Sequence, residues 1–463
     1  MNRLILQKMK TVCIIGGGVS GSLTAVQLLK KSEKVKVILI NSGNPLLTGV
    51  AYSTQRAEHL LNVPAGKMSV YPDKPDHFIE WLKSLPEFEK SSDADLKHSF
   101  LPRMIYGSYL GDVLNKFMKD DRITVVESKA EAAGRSENKY VIRLEAGSSI
   151  EADVLVLAMG NFLPAAPKLK DCSAFSNQHF YANPWSDAFL ENLSGSSSVL
   201  LIGGGLTMID CVLSLVNTNF NGQIYAVSPR GYLPEGHLEK PSSYPDFFNE
   251  YKNRDLLTIF KSIRKHIAEA KKNTIPWQAV IDSVRPHAKE IWLHFSGDDK
   301  QRFITHLRHV WGVARHRLPT GVHRKMKQLI SDGRLIVMDG RIREISETEN
   351  GFHVGIKRRR QSNSEYLKVS RIVNCTGPQI NYKELDEAFV KSLIAENIIC
   401  PDEHKMGINA SPGGRVLDNK GGVVKNVYAV GSMLRKVLWE TTAVPELREN
   451  AENVAQQIIE SID

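Results

Sequence analysis

TVCIIGGGVSGSLTAVQLLKKSEKVKVILIN, residues 11–41, decides the fold. Thr11 to Ile15 is a short apolar run rich in β-branched residues, as a buried strand requires. A glycine turn follows. Then comes a periodic apolar stretch ending in Lys30 and Lys31, where basic side chains suit a helix C-terminus. A second β-branched run, Val35 to Ile40, completes a strand–helix–strand unit. Gly16, Gly18 and Gly21 place G-x-G-x-x-G between the first strand and the helix. The first glycine permits a tight turn, the second lets the backbone approach a pyrophosphate, and the third lets helix pack on strand. That context predicts a dinucleotide site.

Residues 198–230, SVLLIGGGLTMIDCVLSLVNTNFNGQIYAVSPR, read the same way, so the chain carries two such units. Here Gly203 and Gly205 are present, but Met208 takes the third glycine position and holds helix and strand farther apart. The strand ends in Ser228 and Arg230 with no acid. A hydroxyl and a guanidinium suit a 2′-phosphate, which favours NADPH over NADH. In the first unit Asn41 and Ser42 stand where an Asp or Glu ordinarily takes the ribose hydroxyls. An amide still hydrogen-bonds a ribose, without the charge-assisted part of that bond.

Outward from these units, 123–161 and 333–378 each read as short strands ending near a glycine, Gly160 and Gly377. Lys357 to Arg360 falls at the turn of the second series and reads as a solvated hairpin tip. A helical insertion at about 235–325 contains DLLTIFKSIRKHIAEAKKN, with Leu256, Ile259, Phe260, Ile263 and Ile267 on one face. It is expected to shape a substrate pocket.

The 463 residues are 42% hydrophobic and 24% charged, which excludes a disordered or fibrous chain. A net charge of +9 over that length suits an anionic cofactor or substrate and does not argue for nucleic acid. Cys13, Cys172, Cys211, Cys375 and Cys400 lie far apart in sequence, against a disulfide framework, a CxxC pair or a cysteine zinc site. His306 and His309 have HxxH spacing without an acidic partner nearby, so no metal is expected. MNRLILQKMK is too short for a signal-peptide core, and no run approaches a membrane span. A cytoplasmic protein is expected.

GVAYST (49–54), HLLNVPAGKMS (59–69), IGGGLTMID (202–210), RGYLP..H (230–237), WGVARHRLP (311–319) and LWETTAVPELREN (438–450) carry a resemblance. The chain is similar to a bacterial family of FAD/NAD(P)-binding proteins among the class B-like flavin monooxygenases, some of which hydroxylate an amino-acid nitrogen. The resemblance implies an α/β fold with two Rossmann-like domains, for FAD and NADPH, with β-meanders and the helical insertion. Residues 1–165 and 375–463 would form the FAD domain and 166–374 the NADPH domain.

It also implies roles for single residues. Asn62, in the Asn…Lys67-Met68 segment, would face the reactive flavin edge and the nicotinamide nucleotide. His59 would donate to flavin or substrate, or simply pack, and Arg103 would lie near the cofactor. Gly431-Ser432 stands where this class often has an Asp for the ribityl chain, so a backbone N–H or the hydroxyl would substitute. The helix starting near Thr442, Ala443 and Val444 would aim its positive end at the flavin. Arg315, His316 and Arg317 read either as a clamp for a carboxylate or the NADPH phosphates, or as an ion-pair cluster.

The function expected is an NADPH-consuming FAD monooxygenase that takes O₂ and hydroxylates a small-molecule nitrogen through a C4a-hydroperoxyflavin. The alternatives are an NAD(P)H:acceptor reductase without oxygen insertion, and a flavin-binding sensor or scaffold.

Overall fold

The computed structural model describes residues 9–43, 45–195 and 197–462, so nearly all of MNRLILQKMK lies outside the described residues. The chain divides into two compact units. One comprises the residues up to Gln55, Val63–Asn161 and those from Ile380 on; the other comprises Arg56–Asn62 and Phe162–Gln379. The sequence places Arg56–Asn62 in the first domain; the structure places it in the second. Tertiary contacts decide this. Leu60 packs on the second unit's core, His59 Nε2 lies 2.9 Å from Ser214 Oγ, and Arg56 Nε donates to Asp187 at 2.9 Å.

In the first unit a six-stranded sheet runs Arg415–Leu417, Val423–Ala429, Val154–Leu157, Lys10–Ile15, Val35–Asn41, Ile123–Glu127. All its pairings are parallel except that of the Arg415–Leu417 edge strand. The central strands are continuous apolar runs because helices cover the sheet. Val12, Ile14, Leu28, Leu39, Val156, Val454 and Ile458 share one buried core, which joins the sheet to the Val19–Lys31 and Val444–Ile462 helices. Each fully buried Val, Ile or Leu of this kind contributes about 1.5–3 kcal/mol. The strands Ala130–Ser136, Lys139–Leu144 and Ser149–Ala152 form a separate antiparallel sheet.

In the second unit the order is Ser364–Val369, Gly351–Arg358, Leu335–Thr348, Gln223–Ser228, Ser198–Ile202, Arg371–Asn374, Phe180–Tyr181. Here the meander is not separate. The 14-residue strand Leu335–Thr348 pairs in parallel with Gln223–Ser228 at its start and antiparallel with Gly351–Arg358 beyond, with an irregularity between Ile342 and Glu344. The two series of strands, alike in sequence, therefore attach differently.

The expected insertion also ends earlier than 325. The helix Thr320–Ser331 buries Val322, Met326 and Leu329 in the core under Leu206–Asn217, as the crossover to Leu335–Thr348 requires. The amphipathic segment forms Leu256–Lys272, capped by the Asp255 side chain on the Thr258 N–H. Leu256 and Ile259 are buried as expected, while Phe260, Ile263 and Ile267 are only half-buried. Among the described residues no helix is long and apolar enough to cross a membrane.

Candidate functional site

Two of the three glycines in the first turn are required by backbone geometry. Gly16 sits at φ +111°, and a Cβ there would lie 2.2 Å from the Ala158 carbonyl oxygen. A Cβ on Gly21 would lie 1.9 Å from the Gly16 oxygen, so strand and helix touch through it. Gly18 differs: its φ of −72° suits any residue, and the nearest atom to an added Cβ is 3.6 Å away. It caps the Val19–Lys31 helix without a side-chain bond, and no acid lies in the first helical turn. The leading N–H groups of that helix therefore have no carboxylate in their own turn to offset them.

At the end of the next strand Asn41 is buried and Ser42 is exposed. Asn41 Nδ2 donates to both oxygens of Glu127, at 3.0 and 3.3 Å, and the two residues are register partners on adjacent strands. An acid thus stands beside the position where the sequence shows only an amide.

Gly160 and Gly431 have φ +67° and +77° at two strand ends of the same unit. Ser432 Oγ donates to the Gly160 carbonyl at 2.6 Å and ties these loops together. That commits the hydroxyl proton within the protein. The Gly431 N–H is itself given to Asn450 Oδ1 at 3.1 Å.

Thr442 and Ala443 lead into the Val444–Ile462 helix, which carries Glu446 in its first turn. A carboxylate there offsets the positive helix end expected to face the flavin. Arg103 opens the Arg103–Leu114 helix after Pro102. Desolvation pushes the Tyr52 phenol up to about 12, with the Arg103 charge opposing and Glu446 adding to the rise.

In the second turn Gly203 sits at φ +139°, where a Cβ would lie 2.4 Å from the Cys375 carbonyl oxygen. Gly205 caps the Leu206–Asn217 helix at φ −96° with nothing within 4 Å of an added Cβ, so this cradle too is open. Met208 is fully buried in the core.

Ser228 Oγ accepts the Gly231 N–H at 3.1 Å. Arg230 Nη1 is buried without a hydrogen-bond partner. Arg308 and Arg341 add positive charge around it. Desolvation, then the Arg230 charge, lowers the Arg308 pKa; desolvation, then Arg308, Arg230 and Arg341, pushes the His309 imidazole down to about 4. Arg308 begins the Arg308–Arg315 helix directly after a π-helical turn, Phe303–Leu307.

Two alternatives that the sequence left open are narrowed here. Arg317 is no clamp for a ligand. It is buried, donating to Asp282 at 2.8 Å and to the Ala314 and Gln278 carbonyls, with its guanidinium over Trp277. Arg315 is buried beside it on the chain and His316 is half-buried. His59, tied to Ser214 and edge-on to Trp185, is buried, which fits the packing alternative rather than a donor to substrate. Asn62 is half-buried, and its backbone carbonyl lies 3.1 Å from His237 Nε2.

Cys211 and Cys375, 164 residues apart, come to 3.6 Å between sulfurs. The contact with Cys375 and burial hold the Cys211 thiol well above its usual range, so it is not a reactive thiolate. Among the described residues no group of three or more His, Cys, Asp or Glu is gathered as a metal would need.

Residues 13–162 match the family model for FAD-NAD(P)-binding domains. The uncharacterized protein YdhS of Escherichia coli K12 is 19% identical, covering 65% of this chain and 72% of its own length. Among solved structures, the ornithine N-hydroxylase of Kutzneria sp. 744 superposes with a TM-score of 0.69 at 14% identity, covering 98% of this chain and 99% of that one. L-lysine 6-monooxygenase from Pseudomonas syringae gives 0.67 at 16% identity, covering 98% and 100%. The chain has their fold.

The sequence marks both glycine turns and Arg230; Glu127, beside Asn41, and Arg308 and Arg341, whose charges reach His309 together with that of Arg230, carry no sequence signal of their own. Glu127 ends a strand that no motif marks. The basic run at Arg308 had only the HxxH spacing of its neighbours to draw attention to it.

Proposed function

We propose that this chain is an FAD-dependent, NADPH-oxidising monooxygenase that hydroxylates the nitrogen of a small amine or amino acid. The observation that carries the reading is the pair of open glycine cradles framed by opposite charge. The first ends at Asn41 and Glu127, the second at Ser228 and Arg230 with Arg308 and Arg341 around it. A guanidinium nitrogen buried without a partner is costly unless an anion completes it. The 2′-phosphate of NADPH is such an anion, and FAD carries none there. The first cradle therefore takes FAD and the second NADPH.

FAD, when bound, supplies the two-electron chemistry with O₂. The protein binds and orients. Gly18 and Gly205 leave room for the two pyrophosphates, and the helix N-termini behind them offer N–H donors. Arg230, Ser228 and Arg308 hold the 2′-phosphate. Asn62, its backbone fixed by His237, contacts the reacting end of the nucleotide. The wide structural likeness to ornithine and lysine N-hydroxylases supports an amine as substrate.

The test is an anaerobic titration of FAD-loaded protein with NADPH and NADH, followed by oxygen with and without candidate amines, ornithine and lysine among them. Bleaching of the flavin by NADPH before NADH, then hydroxylated product in step with NADPH consumed, is the expected result. Bleaching without product across the amines favours the acceptor-reductase alternative. No bleaching by either nucleotide overturns both. Asn62→Ala should slow bleaching while leaving FAD content unchanged.

A further inference from the structure

We infer that Glu127 is the carboxylate that binds the adenosine ribose of FAD, with Asn41 as the residue that positions it; the inference rests on the assignment of FAD to the first cradle. A ribose in a Rossmann-like turn is held by an acid at the end of the strand after the glycine helix, because an ionised carboxylate accepts both hydroxyls in charge-assisted bonds. That strand, Val35–Asn41, ends in an amide. The adjacent parallel strand, Ile123–Glu127, ends in the acid, in register with Asn41.

The hydrogen bonds fix the division of roles. Both contacts run from Asn41 Nδ2 to the Glu127 oxygens, so the amide donates and the carboxylate stays an acceptor. The Asn41 oxygen is turned toward the glycine turn, 2.7 Å from where a Gly17 Cβ would sit. Asn41 is buried and Glu127 exposed, so the pair presents its negative end outward, beside the pyrophosphate cradle. Each carboxylate oxygen keeps a lone pair for a further donor.

The second unit supplies an internal control. Its register equivalent is Ser228 beside Asp339. There the acid is engaged by Arg358, whose Nε and Nη2 donate to it at 3.0 and 2.9 Å. An acid at this place is neutralised in the turn that must accept a phosphate. In the other turn it is held by a neutral amide.

The experiment exchanges the two groups. FAD dissociation constants are measured by flavin fluorescence for the wild type, Glu127→Gln, Asn41→Asp and the double variant, with thermal unfolding of each apo-protein. Glu127→Gln removes a charge from an exposed side chain and keeps one oxygen to accept from Asn41; it should leave the apo-protein folded and weaken FAD about tenfold to a hundredfold. Asn41→Asp sets two carboxylates against each other and should also weaken FAD. In Asn41→Asp/Glu127→Gln the pair is reversed, the amide now at position 127 donating to an acid at position 41, and affinity should return to within about threefold of wild type. Wild-type affinity in Glu127→Gln, or a double variant no tighter than Glu127→Gln, overturns the inference. Reduction by NADPH is scored apart. A wild type that binds FAD through Glu127 but is not bleached sinks the proposed function and leaves this assignment standing.

Discussion

At the end of its second parallel strand the first unit sets Asn41 beside Glu127, and the second unit sets Ser228 beside Asp339. Topologically these are the same place. What differs is the neighbours: an amide on Glu127, an arginine on Asp339, and two further arginines with His309 around Arg230. The glycine turns themselves are nearly interchangeable, each with a closed first glycine and an open second one. On the function proposed above, nucleotide choice would lie outside the glycine motif, in charges delivered by adjoining strands and, for Arg308, by an inserted helix. Motif and specificity come from different parts of the chain.

The largest effects should come from the shared part. Gly16→Ala and Gly203→Ala each force a side chain to φ +111° or +139° and drive a Cβ to 2.2 or 2.4 Å from a backbone oxygen. A loss of about 3 kcal/mol or more is expected, seen as a collapse of the thermal midpoint or of soluble yield. Gly18→Ala and Gly205→Ala have ordinary dihedrals and space, so the fold should survive while binding is lost. Gly18→Ala should abolish FAD retention but spare NADP⁺ titration, and Gly205→Ala should do the reverse. If either variant loses both cofactors, the two turns are not independent sites.

Next in size is the basic frame. Arg230→Ala should weaken NADP⁺ by about tenfold to a hundredfold and leave NAD⁺ nearly unchanged, since only the 2′-phosphate is lost as a partner. Arg308→Gln should do the same to a smaller degree, because it acts on the same charge from the rim. The ratio of NADP⁺ to NAD⁺ dissociation constants is the measurement. An equal loss for both coenzymes would mean Arg230 supports the loop rather than the phosphate.

What the sequence made legible follows from range. The glycine turns, the β-branched strands and the amphipathic Leu256–Lys272 helix are local patterns, with periodicity or dihedral need written in a few residues. The Asn41–Glu127 bond spans 86 residues, the Cys211–Cys375 contact 164, and both depend on which strands lie side by side. The sequence left Arg317 open between a ligand clamp and an ion-pair cluster, because a lone basic cluster does not show that Asp282, on another helix, already takes it. The transfer of Arg56–Asn62 to the second unit is of the same kind. Its side chains are ordinary, and only the surfaces they meet decide where the segment docks.

The smallest expected effect tests how concentrated the positive frame is. His309 has its pKa lowered to about 4 from 6.5. It is therefore neutral in the folded chain at neutral pH. As pH falls through the unfolded value of 6.5 the unfolded chain binds the proton first, so stability declines from there to about 4 and this contribution levels off below that. His309→Gln lacks the titration, so wild type should lose more stability than the variant across this window, by about 1 kcal/mol or less once solvent screening is allowed for. Thermal midpoints of the two proteins at steps from pH 7 down to about 4 give the difference directly. Saturating NADP⁺ should shrink it, because a bound phosphate lets the imidazole charge beside three arginines; saturating FAD should not, because the first turn has no such frame. Equal pH profiles for wild type and variant would place His309 outside the field of those arginines.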